Sequence, residues 1–389
     1  MTTMWDVAVV GGGPAGSSTA LHLVRAAGIR PDRILILDKA RFPREKPCAG
    51  AISQAGVDAL RAIGVTLEVP QVAMRGIRIL DGGAVGASRV PLGVVVRRDE
   101  HDAFLLETAR RDGVVVKDGE GLVSLERVAG GFRLVTSAGV HEARYVAACD
   151  GAGSPTRKLL GIREPERKGH LYVLETEPGA SDAGPREGLV DFDLSVLADG
   201  LEGYYWDFPT VLGGRAAVSR GIYHANFTPS SRVKEALGRA LAARGVDIAS
   251  VKLKPFATRP FVPETITWRD RLVLVGEAAG IDQATGEGIA QALEMGGIAA
   301  HHLARALRTG GTSFEGYDRA VRTSTMGRHM LQSAWLARRV YRARIGAPAR
   351  RYLVTSHYAR TMGVSWYRGE TLPLRTIARL GVGLLRASL

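Results

Sequence analysis

Two groups of residues in this 389-residue chain have the types and spacing to do chemistry or to hold a group that does. The first is Gly11, Gly13 and Gly16, in the order G-x-G-x-x-G, with Pro14 and Ala15 before the last glycine and Asp38 closing the next apolar run. This spacing suits a dinucleotide. Gly11 permits a tight turn, Gly13 lets a pyrophosphate approach the backbone, Gly16 lets a helix pack closely on a strand, and the helix N-terminus offers unpaired N–H groups to phosphate. Asp38 is placed to accept hydrogen bonds from the adenosine ribose hydroxyls. The second group is "GYYWDFP", residues 203 to 209, which as an extended segment puts Tyr204, Trp206 and Phe208 on one face and Tyr205 and Asp207 on the other. Such a face lines an apolar slot, or it packs between sheet and helices as most period-two aromatic strands do.

The elements that must carry these residues follow from periodicity. "DVAVV", "AGSSTALHLVRAAG" and "RILILDKA" read as strand, helix and strand around the first glycine motif. Two later glycine-rich stretches repeat the strand-to-helix pattern. In "YVAACDGAGSPTRKLLG", Asp150, Gly151, Ser154 and Arg157 stand at the strand end and helix start. In "RLVLVGEAAGIDQATGEGIAQALEMGGIAA", Gly276 and Glu277 follow a strand, and Gly286, Glu287 and Gly288 open a long apolar helix beginning at Ile289. A nicotinamide dehydrogenase needs neither stretch. A helix and strand are predicted near 99 to 117, and a three-stranded meander from 122 to 149. Residues 70 to 96 and 163 to 260 alternate apolar and polar side chains, with one helix near 230 to 244, and predict an antiparallel sheet. From 311 onward the pattern is helical, broken at "GAPARRY" and "GETLP".

An apolar content of 46% supports a core for more than one domain. No apolar run is long enough to span a membrane and no charged, hydrophobic leader is seen, so a cytoplasmic location is expected. Cys48 and Cys149 are far apart and read as free thiols; no zinc pattern stands out, and no metal is expected. The charge is uneven. Residues 301 to 389 hold 16 arginines, no lysine and only Glu315, Asp318 and Glu370 as acids, a surplus equal to the +13 of the whole chain. That segment suits anionic lipid headgroups, an acidic redox partner or nucleic acid, or is an ordinary solvated helical face. A peripheral contact with an anionic membrane surface is retained as an expectation, and no nucleic-acid partner is expected.

In order and spacing the three glycine-rich stretches resemble the FAD-dependent oxidoreductases built like the aromatic hydroxylases. That resemblance implies an α/β fold, α+β overall, with a Rossmann-like FAD-binding domain (1–70, 97–162 and 261–310) interleaved with an antiparallel-sheet substrate domain (71–96 and 163–260). A C-terminal helical, Arg-rich region takes 311–389. It also implies that the D-G and late G-D turns fold back onto FAD, with Glu277 standing where the family carries aspartate. A narrower resemblance is to the geranylgeranyl reductase group. It rests on P-x-x-K-x-C-x-G at Pro43, Lys46, Cys48 and Gly50, on "TGEGI" at 285 to 289, and on "Y-x-W-x-F-P", and it covers roughly residues 5 to 310. One departure is that "IDQA", between "GEAAG" and "TGEGI", lacks a proline and about one residue of the group's form.

The resemblance implies a cofactor-binding set of Gly11, Gly13, Pro14, Ala15, Gly16, Asp38, Lys39, Cys48, Ala49, Gly50, Arg98, Asp150, Gly151, Gly276, Glu277, Gly286, Gly288 and Ile289. Arg98 is preferred over Arg97 at the strand end that approaches FAD, and Asp102 is read as structural. Arg44 and Lys46 are candidates for a phosphate or the pyrophosphate, or else keep a polar loop soluble. His101, His301 and His302 are left as helix or surface residues, and Cys149 as a small buried side chain.

The reaction implied is reduction of C=C bonds in a polyprenyl or other apolar chain, with Cys48, Tyr204, Trp206 and Phe208 at the reacting site and NAD(P)H or a ferredoxin as electron donor. A monooxygenase acting on an apolar substrate shares the architecture. A flavin-dependent halogenase is similar through W-x-W-x-I-P, but that chemistry uses a lysine between the first glycine motif and the aromatic stretch. Here no lysine occurs from Pro47 to Val116, and the aromatic stretch ends in Phe208. A flavin-binding protein that turns nothing over is the remaining alternative.

Overall fold

The computed structural model describes residues 4–163, 168–228, 232–340 and 346–388. The chain opens with β1 (Met4–Val10), α1 (Pro14–Arg25) and β2 (Ile34–Asp38). It continues through β3 (Ala51–Ser53), α2 (Gln54–Arg61), β4 (Gln71–Met74), β5 (Gly76–Asp81), β6 (Ala84–Ser88) and β7 (Gly93–Val96). Next come α3 (Arg98–Arg111), β8 (Val115–Asp118), β9 (Leu122–Val128), β10 (Gly131–Thr136), β11 (Val140–Ala148) and α4 (Pro155–Leu159). A second β-rich stretch holds β12 (Lys168–Thr176), α5 (Ala183–Arg186), β13 (Leu189–Asp193), β14 (Gly203–Leu212), β15 (Arg215–Phe227), α6 (Val233–Ala242) and β16 (Lys254–Thr258). The chain returns through β17 (Trp268–Arg269), β18 (Leu272–Leu274) and α7 (Ile289–Thr309). It ends in α8 (Glu315–Thr323), α9 (Thr325–Val340), α10 (Ala347–Thr355), α11 (His357–Tyr367) and α12 (Leu374–Ser388).

The first sheet runs β17-β18-β11-β1-β2-β8, with the β9–β10 hairpin attached to β11. Strands β18, β11, β1, β2 and β8 are parallel neighbours. Val7 to Val10 and Ile34 to Leu37 are apolar at every position and buried, as strands covered on both faces require. Helices α1 and α7 pack on each other through small residues. The Ser18 hydroxyl donates to the Leu293 carbonyl at 2.7 Å, and a Cβ on Gly296 would meet the Ser18 side chain.

A seven-stranded sheet, β16-β12-β15-β14-β13-β5-β6, roofs this unit. It departs from the expected antiparallel sheet in one place, because β5 and β13 pair in parallel. The chain between them is long and passes through the other sheet, so no hairpin constrains their direction. Residues 71–74 and 93–96, expected in the roof, instead form a small antiparallel sheet with Ala51–Ser53, in the order β3-β7-β4. "GAPARRY" is a break only at Gly346. Ala347 onward is helix α10, whose first turn tolerates Pro348 because its N–H would have no helical partner there.

Strand β14 alternates as its sequence demands. Trp206 and Phe208 face inward with Phe192, Tyr223, Leu171, Val173 and Met74. Tyr205 faces outward among Leu237, Leu241 and Ala236 of α6. Asp207, on the same outer face, accepts from the Tyr205 hydroxyl at 2.7 Å and from Arg220 at 2.6 Å, and it also pairs with Arg244. Arg220 is buried; it donates at 2.6 and 3.0 Å to Asp182 and at 2.8 Å to the Thr176 hydroxyl.

Candidate active site

The glycine motif forms the turn from β1 into α1. Gly11 has φ +106°, which favours glycine, and its N–H donates to the Leu37 carbonyl at 2.6 Å. A Cβ at Gly11 would overlap the Cys149 carbonyl, and one at Gly16 would overlap the Gly11 carbonyl. Gly13 is the N-cap of α1, followed by Pro14 and Ala15, and no side chain satisfies the first-turn N–H groups. The Arg44 guanidinium lies over Gly13, 3.1 Å from where a Cβ would stand. Asp38 accepts from the N–H groups of Gly12 and Ala40, both at 2.8 Å, so its carboxylate also braces the turn. Lys39 is exposed. A cradle without room for side chains, unsatisfied helix N–H groups, a guanidinium above it and a carboxylate at the next strand end fit the pyrophosphate and ribose of FAD.

The loop carrying Cys48, Ala49 and Gly50 meets the start of α3. Cys48 is a free, half-buried thiol whose sulfur accepts from the Gly50 N–H at 3.4 Å. Arg98 lines the same cleft as Cys48 and donates to both oxygens of Asp102, at 2.9 and 2.8 Å. Burial opposes the charge on Arg98, but Asp102 and Cys48 outweigh it and raise the Arg98 pKa. Burial likewise works against the Asp102 carboxylate, and Arg98 outweighs it, holding Asp102 well below the usual carboxylate range. Asp102 also lies 3.3 Å from Arg44 and 3.1 Å from His101 Nδ1, so this buried acid organises both arginines. Arg97 turns away to Asp99 and Glu175. Lys46 lies 3.5 Å from Glu277 and 3.3 Å above the Phe256 ring; burial lowers its pKa, with Glu277 opposing. A cleft here is lined by Lys46, Cys48, Arg97, Arg98, Glu175 and Lys254, among others.

The D-G turn is shaped by Asp150, which accepts from the Ser154 hydroxyl at 2.6 Å and the Thr156 N–H at 2.8 Å. Gly151 fronts open space. Arg157 is turned inward to the carbonyls of Ala278 and Arg163, tying this turn to the one that follows Gly276 and Glu277. Gly288 is the N-cap of α7 and Ile289 its first residue. Cys149 is buried, which pushes its thiol pKa up strongly.

The shortened "IDQA" loop has a brace that sequence reasoning missed. Asp282 is fully buried and accepts from the Thr285 N–H at 2.7 Å and the Ser333 hydroxyl at 2.8 Å. His329 Nε2 lies 3.0 Å away. Burial opposes both charges, but each partner outweighs it for the other, so the Asp282 pKa falls and the His329 pKa rises. His329 and Ser333 come from α9, in the region whose sequence was not diagnostic. An acid inside a loop that departs from its group was the available signal.

Glu287, in the same turn, has its pKa pushed up to about 7, first by burial and further by Asp282, against the hydrogen bond from the Ser53 N–H. Its folded pKa lies above the unfolded value, so the folded state holds this proton from about pH 4.5 to 7 and loses stability as pH rises through that window. Glu287→Gln keeps the acceptor without the charge. Thermal unfolding should find the variant equal to the parent below about pH 4 and more stable at pH 8, by on the order of 3 kcal/mol.

The roof is fastened to this turn by two hydroxyls. Tyr204 donates to the Thr285 carbonyl, and Tyr223 donates to the Gln283 carbonyl at 2.9 Å. Gly286 lies under the Tyr223 ring, where a Cβ would come within 2.9 Å. Trp206 and Phe208 are 2% and 3% exposed and pack with Phe192, Tyr223 and Met74 under the roof. Ala49 and Ala51 border this cluster, and Val364 and Tyr367 of α11 close it. That contribution from α11 was also not legible in the sequence.

The glycine cradle after β1, the turns after the C-terminal ends of its parallel neighbours β11 and β18, and the aromatic roof together define an FAD-dependent oxidoreductase. Residues 4–317 match the family model described as FAD binding domain, and the chain belongs to that family. It is 28% identical over 327 residues to a menaquinone reductase of Mycobacterium tuberculosis, covering 77% of this chain and 76% of that one. It is 29% identical over 308 residues to digeranylgeranylglycerophospholipid reductase 1 of Methanopyrus kandleri, covering 76% and 79%. A geranylgeranyl bacteriochlorophyll reductase-like protein from Thermoplasma acidophilum shares the fold at TM-score 0.77 and 20% identity, covering 98% of both chains. A flavin-dependent halogenase shares it at TM-score 0.67 and 19% identity, covering 98% of this chain and 70% of that one.

Proposed function

We propose that this oxidoreductase reduces C=C bonds in a polyprenyl or other apolar chain. The observation that carries the reading is the junction of roof and cofactor turn. The aromatic face of β14 is tied through Tyr204 and Tyr223 to residues 283–285, and its apolar cluster reaches Ala49, next to Cys48. FAD, when bound and reduced, supplies a hydride to one alkene carbon. The rest is the work of side chains. An isolated alkene has no charged handle, so it must be oriented by shape, and Trp206, Phe208 and Phe192 supply a rigid wall that also excludes water. The second hydrogen arrives as a proton, and Cys48, whose neighbour Ala49 borders the apolar cluster, is our candidate for its source in the thiol form. Two relatives named as reductases, matched over about three quarters of this chain, support this reading, against one named as a monooxygenase that is 28% identical over 53% of it. The halogenase fold is shared, but the lysine-free stretch from Pro47 to Val116 weighs against that chemistry.

The test is anaerobic incubation of the yellow protein with reductant and cell lipids, followed by air, with product masses recorded. A gain of about 2 Da per turnover without oxygen is expected; an oxygen-dependent gain of about 16, or of about 34 with chloride, would overturn the proposal. Trp206→Ala should keep its flavin absorbance and lose about tenfold or more in turnover, with Trp206→Phe intermediate. Unchanged turnover in the alanine variant would remove Trp206 from the wall.

A further inference from the structure

Helix α12 is sorted into two sides. At about 100° per residue, Ile377, Leu380 and Leu384 share one arc with Gly383. This arc is partly buried, and a Cβ on Gly383 would run into the Tyr352 ring of α10, so the seat is close. The opposite arc is exposed and itself divided. Leu374, Ala378, Val382 and Leu385 form an apolar stripe, and Arg375, Arg379 and Arg386 form the stripe beside it. Leu374 is 81% and Leu385 68% exposed. Residues 371–388 contain no acid.

A solvated helical face has no use for leucines at these positions, and a nucleic-acid face gains nothing from them, because phosphate contacts need charge alone. A second copy docked antiparallel about a two-fold perpendicular to α12 would bring the two arginine rows together with no acid between them. An anionic bilayer satisfies both stripes: the leucines enter the acyl boundary while the guanidiniums stay among lipid phosphates. No described helix is long and apolar enough to cross a membrane, so such contact is peripheral. The seat of α12 leads inward, since α10 packs on α11, which carries Val364 and Tyr367 into the aromatic cluster.

We propose that α12 docks the protein flat on an anionic lipid bilayer, with Leu374, Ala378, Val382 and Leu385 in the acyl boundary and Arg375, Arg379 and Arg386 on the phosphates. This rests on α12 alone, so failure of the lipid test leaves the proposed reaction untouched, and the converse holds. The test is co-sedimentation of the FAD-loaded full chain with phosphatidylcholine vesicles, with and without about one-third phosphatidylglycerol, at low and high salt. Pelleting should require phosphatidylglycerol and weaken with salt. Leu374→Ser/Leu385→Ser and Arg375→Gln/Arg386→Gln, which spare Arg379 on the Tyr358 ring, should each weaken it about tenfold or more, with unchanged melting temperature and flavin content. Absence of pelleting, or pelleting that neither variant changes, overturns the proposal. So does a solution dimer that Leu374→Ser/Leu385→Ser dissociates in the absence of any vesicle binding.

Discussion

Gly16→Ala should give protein that purifies without yellow colour and unfolds at a much lower temperature. Two effects of opposite sign meet at this position. Alanine is the better helix former by about 1 kcal/mol, so propensity alone predicts a more stable α1. The added Cβ, however, would overlap the backbone carbonyl of Gly11 and crowd Val9, and no rotamer change can relieve a clash with backbone. Either α1 moves away from β1 or the turn opens, and both displace the N–H groups that face the pyrophosphate. We expect a loss of more than about 4 kcal/mol, in the range reserved for core overpacking and strain. The absorbance ratio at 450 and 280 nm reads the flavin, and urea unfolding reads the stability. Gly139→Ala, in the hairpin between β10 and β11, is the control, since nothing lies within 4 Å of its Cβ position. A Gly16→Ala variant that retained full flavin content would disprove the cradle assignment.

Arg220→Ala should destabilise the roof by about 3–5 kcal/mol. Arg220 is 1% exposed and serves two buried acids, Asp182 and Asp207, as well as the Thr176 hydroxyl. Removing it leaves carboxylates buried with reduced compensation; Asp207 keeps Arg244 and the Tyr205 hydroxyl, whereas Asp182 keeps only backbone and local contacts. Arg220→Lys should recover little, because an ammonium on a flexible stem cannot fork between Asp182 and Asp207 while also reaching Thr176. Unfolding midpoints for the two variants, with flavin content measured alongside, check this. An Arg220→Ala midpoint within error of the parent would mean that water already solvates these acids.

The network around Arg220 also shows where sequence reading stops. Alternation in "GYYWDFP" correctly put Tyr205 and Asp207 opposite the aromatic face, because the side-chain period of a strand is fixed by its backbone. That Asp207 would share an arginine with Asp182 depends on how strands distant in the chain are registered. The same limit applies to Asp282. Its own loop looked abnormal in the sequence, but the histidine and serine that brace it lie in α9, separated from it by all of α7 and α8.

What the sequence determined by itself is local: strand, tight turn and helix around Gly11 to Gly16, the acid at the end of β2, two further glycine turns, and the two faces of β14. Each follows from steric permission or from a period of the backbone, which act within a few residues. The tertiary structure alone decided the parallel pairing of β5 with β13, the removal of residues 71–74 and 93–96 from the roof, and the closure of the aromatic cluster by Tyr367. It also decided which arc of α12 is left exposed. These depend on which surfaces meet when the chain condenses, and burial is a property of the whole fold that no short stretch encodes.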